Sequence, residues 1–417
     1  MAVADPVITV LETRSVPLQD LSPYPANPRN GDIDLIRESI RAHGQYRAMV
    51  VNRRSMQVLA GNHLLHAMLA EGFTEGLCHF VDVDDEEAAR IVLVDNRASD
   101  LGKYDDGLLA QLLESLPDLS GTGYDDRALQ DLLGSLGPKE GLTDPDEVPE
   151  LPKEAVTKPG DLWILGEHRL LCGDATKAED YERLMGATAP RLLWTDPPYG
   201  VGYVGGTAER LEIANDEAPG LEGLLAAALG CCGASLEPGS PFYLAHPPGA
   251  LGVVFHEAVV RAGWRYHEDL VWAKDVFVLG HSDYHIQHEG IIYGWLPGEG
   301  RSGRGHHKGT RWFGDNAQAS VLSYARPKRS AEHPTMKPIE LVARCMGNSS
   351  RTGDAILDPF AGSGSTLIAA HQLDRVAYLM EIDPLYCDVI CRRFQEFSGI
   401  IPKRESGEEV SFIPELE

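Results

Sequence analysis

The sequence predicts an α/β fold, with a doubly wound parallel sheet preceded by a small α+β domain. After residue 159, apolar strand-like runs alternate with helix-like runs, a pattern typical of parallel strands joined by crossover helices. Before residue 135 the predicted elements are shorter and of mixed type. Residues 136–158 are rich in proline, glycine and acidic residues and lack apolar periodicity, which predicts an interdomain linker.

The N-terminal domain is assigned to residues 1–135, including a helical extension at its end. Within residues 32–43, Ile33, Ile36 and Ile40 share one helical face, and Gly44 is suited to the stop. The remaining predicted strands and helices of this domain lie at 48–51, 58–60, 62–70, 86–98, 108–116 and 127–133.

The C-terminal domain is assigned to residues 159–400, and an acidic tail to residues 401–417. Its predicted strands lie at 161–165, 191–195, 240–245, 269–273, 290–295, 355–358 and 376–381. Its predicted helices lie at 221–231, 249–262, 338–346, 366–373 and 386–397.

The charge of the 417-residue chain is strongly negative, at -26 from 63 acidic and 37 basic residues. A uniformly basic nucleic-acid binder is therefore excluded. The charge is uneven, however, since residues 81–150 hold 19 acidic and 5 basic residues, whereas residues 301–337 hold 8 basic and 2 acidic ones. A local basic strip can act on DNA because distant acids are screened over roughly 8 Å.

Cysteine usage and the apolar runs bear on location. Seven scattered cysteines without a CxxC pair argue against a disulfide scaffold and a zinc ribbon. No signal peptide or bilayer-spanning run is expected. We therefore expect a cytoplasmic protein, in a bacterium or a phage-infected cell, with no membrane partner.

The segment TDPPYG at residues 195–200 directly follows an apolar strand and is suited to chemistry on an exocyclic amine. Such an amine is a poor nucleophile until hydrogen-bond acceptors hold its N–H bonds. Asp196 and the carbonyl of Pro197 can supply two acceptors, and Pro197 and Pro198 fix the backbone. Tyr199 offers a face for a flipped base. The alternative is a simple turn at a strand end.

The segment DPFAGSGST at residues 358–366 follows another strand and opens a helix. Gly362 and Gly364 allow close approach to the backbone, and the helix N-terminus favours an anion. Because no GK[ST] follows, a carboxylate such as that of a methionine moiety is better suited than a triphosphate. Glu381 ends the next strand, 19 residues after Gly362, where an acid typically binds ribose hydroxyls.

These motifs resemble those of amino-directed DNA methyltransferases that use S-adenosylmethionine (SAM), over roughly residues 159–398. DPPY precedes the glycine loop, which is the order of the β group. Asp174 in the segment GDA would face the cofactor adenine, and HPTMKP at residues 333–338 resembles an element beside the loop. The resemblance implies a Rossmann-like methyltransferase fold and SAM bound by Asp174, Lys337, Asp358, Phe360, Gly362, Gly364, Ser365, Thr366 and Glu381. Ser365 stands where threonine is common.

The implied function is methyl transfer to the N6 amine of adenine in a flipped base, because Asp-initiated DPPY is more usual for adenine. Catalysis is assigned to Asp196, Pro197, Pro198 and Tyr199. Cytosine-N4 methylation, a non-catalytic ParB-like DNA-binding protein, and methylation of RNA or a protein glutamine are the alternatives. Restriction–modification, phage self-protection and regulation are all compatible with the sequence, which also leaves the oligomeric state open.

Residues 8–100 resemble a ParB/sulfiredoxin-like domain through YPANPR at 24–29, HGQYR at 43–47 and LAGNH at 59–63. The resemblance implies nucleotide phosphates at the last loop and its helix. Leu64 and Leu65 follow His63 where arginine would be expected, which argues against nucleotide hydrolysis. No ligand set surrounds His63 and His66 in the sequence, so no metal site is predicted.

The basic segment at residues 301–337 is predicted to contact double-stranded DNA, since aromatic residues are interleaved with its cations. A solvated charged loop is the alternative. The residues assigned to DNA binding are Arg301, Arg304, Lys308, Arg311, Arg326, Lys328 and Arg329.

Overall fold

The computed structural model describes residues 10–25, 27–200, 220–278, 283–298, 311–315, 317–326 and 336–413. The chain divides into two compact units, Met1–Gly137 and Pro138–Glu417. Among the described residues, no helix combines the length and hydrophobicity needed to cross a bilayer.

The N-terminal unit contains a five-stranded sheet in the order β1-β5-β3-β4-β2. Its strands are β1 (Glu12–Pro17), β2 (Ser22–Pro23), β3 (Met49–Asn52), β4 (Gln57–Ala60) and β5 (Glu75–Val81). Its helices are α1 (Ile33–His43), α2 (Asn62–Ala70), α3 (Asp85–Leu101), α4 (Asp106–Glu114) and α5 (Asp126–Ser135), with a 3-10 turn at Leu18–Asp20.

The predicted start and stop of α1 are both present. The Asp32 carboxylate accepts a hydrogen bond from the Leu35 N–H, which caps the helix. Gly44 follows the last turn with a φ of 68°, in the region that glycine adopts without strain. Strand β1 has no counterpart in the prediction, because only its Val16 is buried and it therefore lacks an alternating apolar pattern. Strand β5 also has no counterpart, although alternate residues in it are buried.

The C-terminal unit contains a ten-stranded sheet in the order β12-β10-β11-β9-β8-β13-β14-β7-β6-β15. Its strands are β6 (Leu162–Leu165), β7 (His168–Cys172), β8 (Leu192–Thr195), β9 (Pro241–His246), β10 (Arg265–Val278), β11 (Ile286–Trp295), β12 (Val321–Ser323), β13 (Ala355–Asp358), β14 (Val376–Glu381) and β15 (Lys403–Arg404). Its helices are α6 (Ala178–Met185), α7 (Leu221–Ser235), α8 (Ala250–Arg261), α9 (Ile339–Ser349), α10 (Ser365–Gln372) and α11 (Pro384–Ser398).

The sheet is doubly wound as predicted, with apolar cores on both faces. Alternation along β8 sends Trp194 to the core formed with α9, α10 and α11, and Leu193 to the core formed with α6, α7 and α8. The parallel strands of the prediction are present, and the sheet also has antiparallel pairs on both sides of them. In sheet order, β7, β14, β13, β8 and β9 are parallel neighbours. The antiparallel pairs are β9 with β11, β11 with β10, β7 with β6 and β6 with β15. Consecutive β10 and β11 pair directly, which needs no crossover helix.

Residues 138–158, predicted as linker, are bound to the C-terminal unit. The Leu142 N–H donates to the Phe397 carbonyl at 2.8 Å. The buried Asp388 carboxylate accepts the N–H of Thr157 at 3.0 Å. Buried Arg393 donates to the carbonyls of Pro145 at 2.6 Å and Ser363 at 2.9 Å, and so connects this segment to the glycine loop. This part of the predicted linker 136–158 is therefore held against the C-terminal unit by hydrogen bonds of its backbone.

Candidate active site

The predicted motifs meet at one edge of the sheet. Asp358 ends β13 and Glu381 ends β14, while Asp196 comes directly after β8. These three strands are parallel neighbours, so their carboxyl ends lie side by side. The sheet topology therefore brings the DPPY segment next to the glycine loop.

The glycine loop is held by the buried Asp358. Its carboxylate accepts the N–H of Phe360 at 3.1 Å and the hydroxyl of Thr366 at 2.5 Å. Burial raises the pKa of Asp358 to about 7. Gly362 and Gly364 have φ values of 53° and 86°, which favour glycine. The loop conformation is thus fixed from within the protein.

Helix α10 begins after Gly364 without a side-chain cap, so its first N–H groups can face an anion. Ser365 donates its hydroxyl proton to the Lys337 carbonyl at 3.1 Å. Glu381 accepts the N–H of Gly362 at 2.8 Å and of Asp383 at 3.0 Å. Burial raises the pKa of Glu381 to about 7.

Asp174 lies next to Glu381, because the N–H of the preceding Gly173 donates to the Glu381 carbonyl at 3.0 Å. The Asp174 carboxylate accepts a hydrogen bond from the Thr176 hydroxyl at 2.7 Å. Burial alone would raise the pKa of Asp174, but the hydrogen bonds from Thr176 outweigh it and lower the pKa. Asp174, Glu381 and the uncapped N-terminus of α10 thus lie near one another at the carboxyl ends of the parallel strands.

Asp196 is held on one side only. Its Oδ2 accepts a hydrogen bond from the Lys337 Nζ at 2.6 Å. Its Oδ1 is buried and has no hydrogen-bond partner among the described residues. Burial raises the pKa of Asp196, although Lys337 opposes this shift. The free oxygen is an acceptor in need of a donor.

Lys337 was predicted to bind the cofactor, yet the structure places its ammonium on Asp196. It is 3% exposed and lies 3.0 Å from Glu289 Oε2. Burial alone would lower the pKa of Lys337, but the carboxylates of Asp196 and Glu289 outweigh it and raise the pKa. Only its carbonyl, through Ser365, touches the start of α10.

Glu289 on β11 and Lys274 on β10 complete this network, and sequence reasoning missed both. Lys274 Nζ lies 2.5 Å from Glu289 Oε1. Burial alone would raise the pKa of Glu289, but Lys337 and Lys274 outweigh it and hold the pKa at about 2. No local signal marks them, because β10 carries several other charged residues and two polar residues precede Glu289 in β11.

Tyr199 is anchored through its hydroxyl, which donates to Glu289 at 3.0 Å and accepts from Lys337 at 3.1 Å. Its ring meets the edge of Phe255 with centroids 5.9 Å apart. Pro197 is buried and Pro198 partly so. The DPPY segment is therefore positioned by β8, β11 and α8 together.

The predicted DNA-contacting residues are divided. Arg311 forms an ion pair with Glu237 at 3.0 Å. Glu237 also pairs with Arg191, which directly precedes β8, so Arg311 lies at the amino ends of the strands. The Arg326 backbone N–H donates to the Asp275 carboxylate at 2.9 Å. The remainder lie outside the described residues, together with residues 333–335 of the HPTMKP element: Arg301, Arg304, Lys308, Lys328 and Arg329.

The N-terminal unit has a cavity of about 550 Å³ at the start of α2, lined by Arg29, Arg47, Asn62 and His63 among others. Helix α2 begins after Gly61 without a side-chain cap. The His63 Nε2 lies 2.8 Å from the Gly31 N–H, whose proton it accepts. The stretches that resemble a ParB/sulfiredoxin-like domain thus surround one cavity.

Two family models match the chain. Residues 191–392 match "DNA methylase", and residues 107–159 match "ParB-methyltransferase HTH domain". The second match begins in α4 and runs through the segment predicted as linker. The first match spans most of the C-terminal unit.

Type II methyltransferase M2.MboI of Moraxella bovis is 38% identical over 89 residues, which are 21% of this chain and 33% of that protein. Type II methyltransferase M.Cfr9I of Citrobacter freundii is 29% identical over 151 residues, or 33% of this chain and 47% of that protein. The chain therefore spans less than half the length of these relatives. A DNA modification methylase structure from Thermus thermophilus aligns at 22% identity and a TM-score of 0.40, covering 54% of this chain and 94% of the other.

Proposed function

We propose that this chain is a SAM-dependent, site-specific DNA methyltransferase that modifies the N6 amine of adenine in a flipped base. The observation that carries the proposal is the buried Asp196 Oδ1, which lacks a donor among the described residues and lies at the strand end next to the glycine loop. An exocyclic amine would supply the missing donor. The DNA methylase match over residues 191–392 supports DNA as the source of that amine.

The chemistry requires the amine lone pair to leave conjugation with the ring. Asp196 Oδ1 would accept one N–H, and the carbonyl of Pro197 would accept the other. The ring of Tyr199, fixed by its hydroxyl, would offer a stacking face. Once the amine has gained a methyl group, its surplus proton sits at Asp196 and leaves to solvent. No covalent enzyme intermediate is needed.

Lys337 has the role of keeping Asp196 ionised. Burial favours the protonated form of Asp196, which lacks the negative charge that makes a carboxylate a strong acceptor for the amine N–H. The ammonium at 2.6 Å opposes this tendency, and Glu289 holds the ammonium in place at 3.0 Å. Lys337 therefore acts on the catalytic carboxylate rather than on the cofactor.

The cofactor groove fits SAM by its donor set. The uncapped start of α10 at Gly364 suits the methionine carboxylate, while Glu381 and Asp174 suit the ribose and the adenine. Phe360, Ser365 and Thr366 shape the same loop around Asp358. When bound, SAM supplies a methyl group already activated on a sulfonium.

Several further features support the finer assignments. DPPY before the glycine loop supports the β group, and its initial aspartate supports adenine over cytosine. The type II relatives support a place in restriction–modification, with the bacterial cytoplasm as the site of action. The proposed DNA contact keeps the other basic residues of this segment: Arg301, Arg304, Lys308, Arg326, Lys328 and Arg329. Arg311 is not part of it, because it pairs with Glu237 at the amino ends of the strands, and neither is Lys337, which is buried against Asp196.

We further propose that the N-terminal unit binds a nucleotide in its cavity. The uncapped α2 N-terminus and the nearby Arg29 and Arg47 provide an electropositive end for phosphates. The matched HTH region would provide a second DNA contact. Titrating the full chain with nucleoside triphosphates tests this directly, and a Gly61→Val variant should lose the response.

Calorimetric titration with SAM and transfer of a tritiated methyl group to mixed-sequence DNA test the main proposal. Wild type should bind SAM and label DNA. Asp196→Ala should bind SAM equally but not label DNA. DNA binding without SAM binding would instead favour a non-catalytic DNA-binding protein.

A further inference from the structure

A second polar cluster lies next to the candidate active site but belongs to no motif of the sequence. It consists of His246 at the end of β9, His256 on α8 and Asp269 on β10. One potential ligand atom from each residue lies within 4.8 Å of the other two. Three different elements therefore converge on one point.

The hydrogen bonds of His246 leave one ring nitrogen as a free acceptor. Its Nδ1 lies 3.0 Å from the Pro247 carbonyl, which can only accept, so the proton resides on Nδ1. Its Nε2 carries the lone pair, is buried and has no partner among the described residues. A buried lone pair without a donor is costly unless a ligand meets it.

His256 repeats the arrangement. Its Nδ1 lies 2.8 Å from the Gly252 carbonyl, which again places a proton on Nδ1 and leaves the lone pair on Nε2. That Nε2 lies 2.9 Å from Asp269 Oδ1, which is itself an acceptor. This distance allows two arrangements: a second ring proton lets Nε2 donate to the carboxylate, or a metal ion lies beside both atoms. Two ligands of one tetrahedral zinc ion, each at about 2.0–2.2 Å, lie at a comparable separation of about 3.3 Å.

Each of the three side chains also has an outer partner that orients it. The carbonyls of Pro247 and Gly252 hold the two imidazoles, and the Tyr266 hydroxyl donates to Asp269 Oδ2 at 3.0 Å. Metal-binding histidines almost always donate their second ring N–H to a carbonyl or carboxylate. The outer hydrogen bonds of a metal site are therefore already in place.

We propose that His246, His256 and Asp269 bind a divalent transition-metal ion of the zinc class. Two imidazoles and one carboxylate suit zinc, cobalt or nickel better than magnesium or calcium. The Asp269 side chain is 45% exposed, which leaves a fourth position open to water. The ion joins β9, α8 and β10 beside Phe255, whose ring contacts both His246 and Tyr199. Its role is to stabilise the wall behind Tyr199.

The test uses the full chain, freed of metal by a chelator and titrated with zinc chloride. Wild type should bind one zinc ion and melt at a higher temperature with zinc, because a ligand of the folded state stabilises it. His256→Asn and Asp269→Asn should each weaken zinc affinity by more than tenfold and abolish the rise in melting temperature. Cobalt should give visible absorption bands in wild type that both variants lack.

His267→Asn is the matched control, since His267 lies on the same strand beside Glu268 but outside the cluster. It should bind zinc like wild type. Failure of wild type to bind zinc in a defined ratio, or wild-type affinity in His256→Asn and Asp269→Asn, would overturn the proposal. Either result would identify His256 and Asp269 as a simple ion pair.

Discussion

Replacing Glu289 by glutamine should remove a pH-dependent part of the stability of the C-terminal unit. Burial alone would raise the pKa of Glu289, but the ammonium groups of Lys337 and Lys274 hold it at about 2, below the ordinary 4.5. A carboxyl group whose pKa is lowered by folding stabilises the folded state. This stabilisation is complete at pH values above the pKa of the group in the unfolded chain. This stabilisation is lost as the pH falls through 4.5 toward 2.

The magnitude follows from that shift. At about 1.4 kcal/mol per pKa unit, the shift from 4.5 to about 2 amounts to about 3 kcal/mol at neutral pH. About 1.4 kcal/mol of this is lost at pH 3.5, where the unfolded chain is mostly protonated. The side chain is only 13% exposed, so solvent screens the charge weakly. The stability difference between wild type and Glu289→Gln should therefore be about 1.4 kcal/mol smaller at pH 3.5 than at pH 7.

Urea unfolding followed by tryptophan fluorescence measures this difference, because all 6 tryptophans lie in the C-terminal unit. Comparing wild type with Glu289→Gln at each pH cancels the other titrating groups. Glu222→Gln, at an exposed carboxylate paired with Arg261, controls for the substitution itself. An equal stability difference at both pH values would refute the charge network around Glu289.

Three further substitutions test other parts of the site. Lys337→Met should destabilise the C-terminal unit by about 3 kcal/mol in urea unfolding, because it leaves the partly buried Asp196 carboxylate without its counter-charge. It should also move the acid limb of the pH–rate profile to higher pH, and an unmoved limb would contradict the role given to the ammonium. Glu381→Ala should weaken SAM binding at least tenfold in calorimetry, while its thermal melt stays cooperative; unchanged affinity would remove Glu381 from the cofactor site. Asp388→Ala should cost about 1–3 kcal/mol, because it removes the acceptor of the buried Thr157 N–H, and a loss below about 0.5 kcal/mol would show that the docked segment is held elsewhere.

Local patterns were enough to predict that the glycine loop and the DPPY segment each follow a strand end and lie close together. The glycine loop and DPPY each follow a short apolar strand, and parallel strands bring their carboxyl ends together. Glu289 and Lys274 could not be found in this way. Their roles depend on the pairing of β10, β11 and β9, which brings Glu289 to a segment 90 residues earlier in the chain.

Composition alone did not predict which polar segments form hydrogen bonds within the C-terminal unit. The segment 138–158 has the proline and acid content of a linker, yet its backbone is hydrogen-bonded to α11 and its Pro145 carbonyl to buried Arg393. The tail predicted at residues 401–417 likewise contributes β15, where Arg404 covers the ring of Trp163. Such tertiary contacts leave no periodic signal in the sequence.

Mass spectrometry of nucleosides from DNA incubated with SAM and the full chain shows whether a base is methylated and which one. Wild type should produce N6-methyladenine, and Asp196→Asn should lower its rate of formation by about 10²–10³ while binding SAM normally, because one acceptor in the transition state loses its charge. N4-methylcytosine alone would contradict the choice of adenine. No methylated base from a chain that binds SAM and DNA, or an undiminished rate in Asp196→Asn, would contradict the account of the active site.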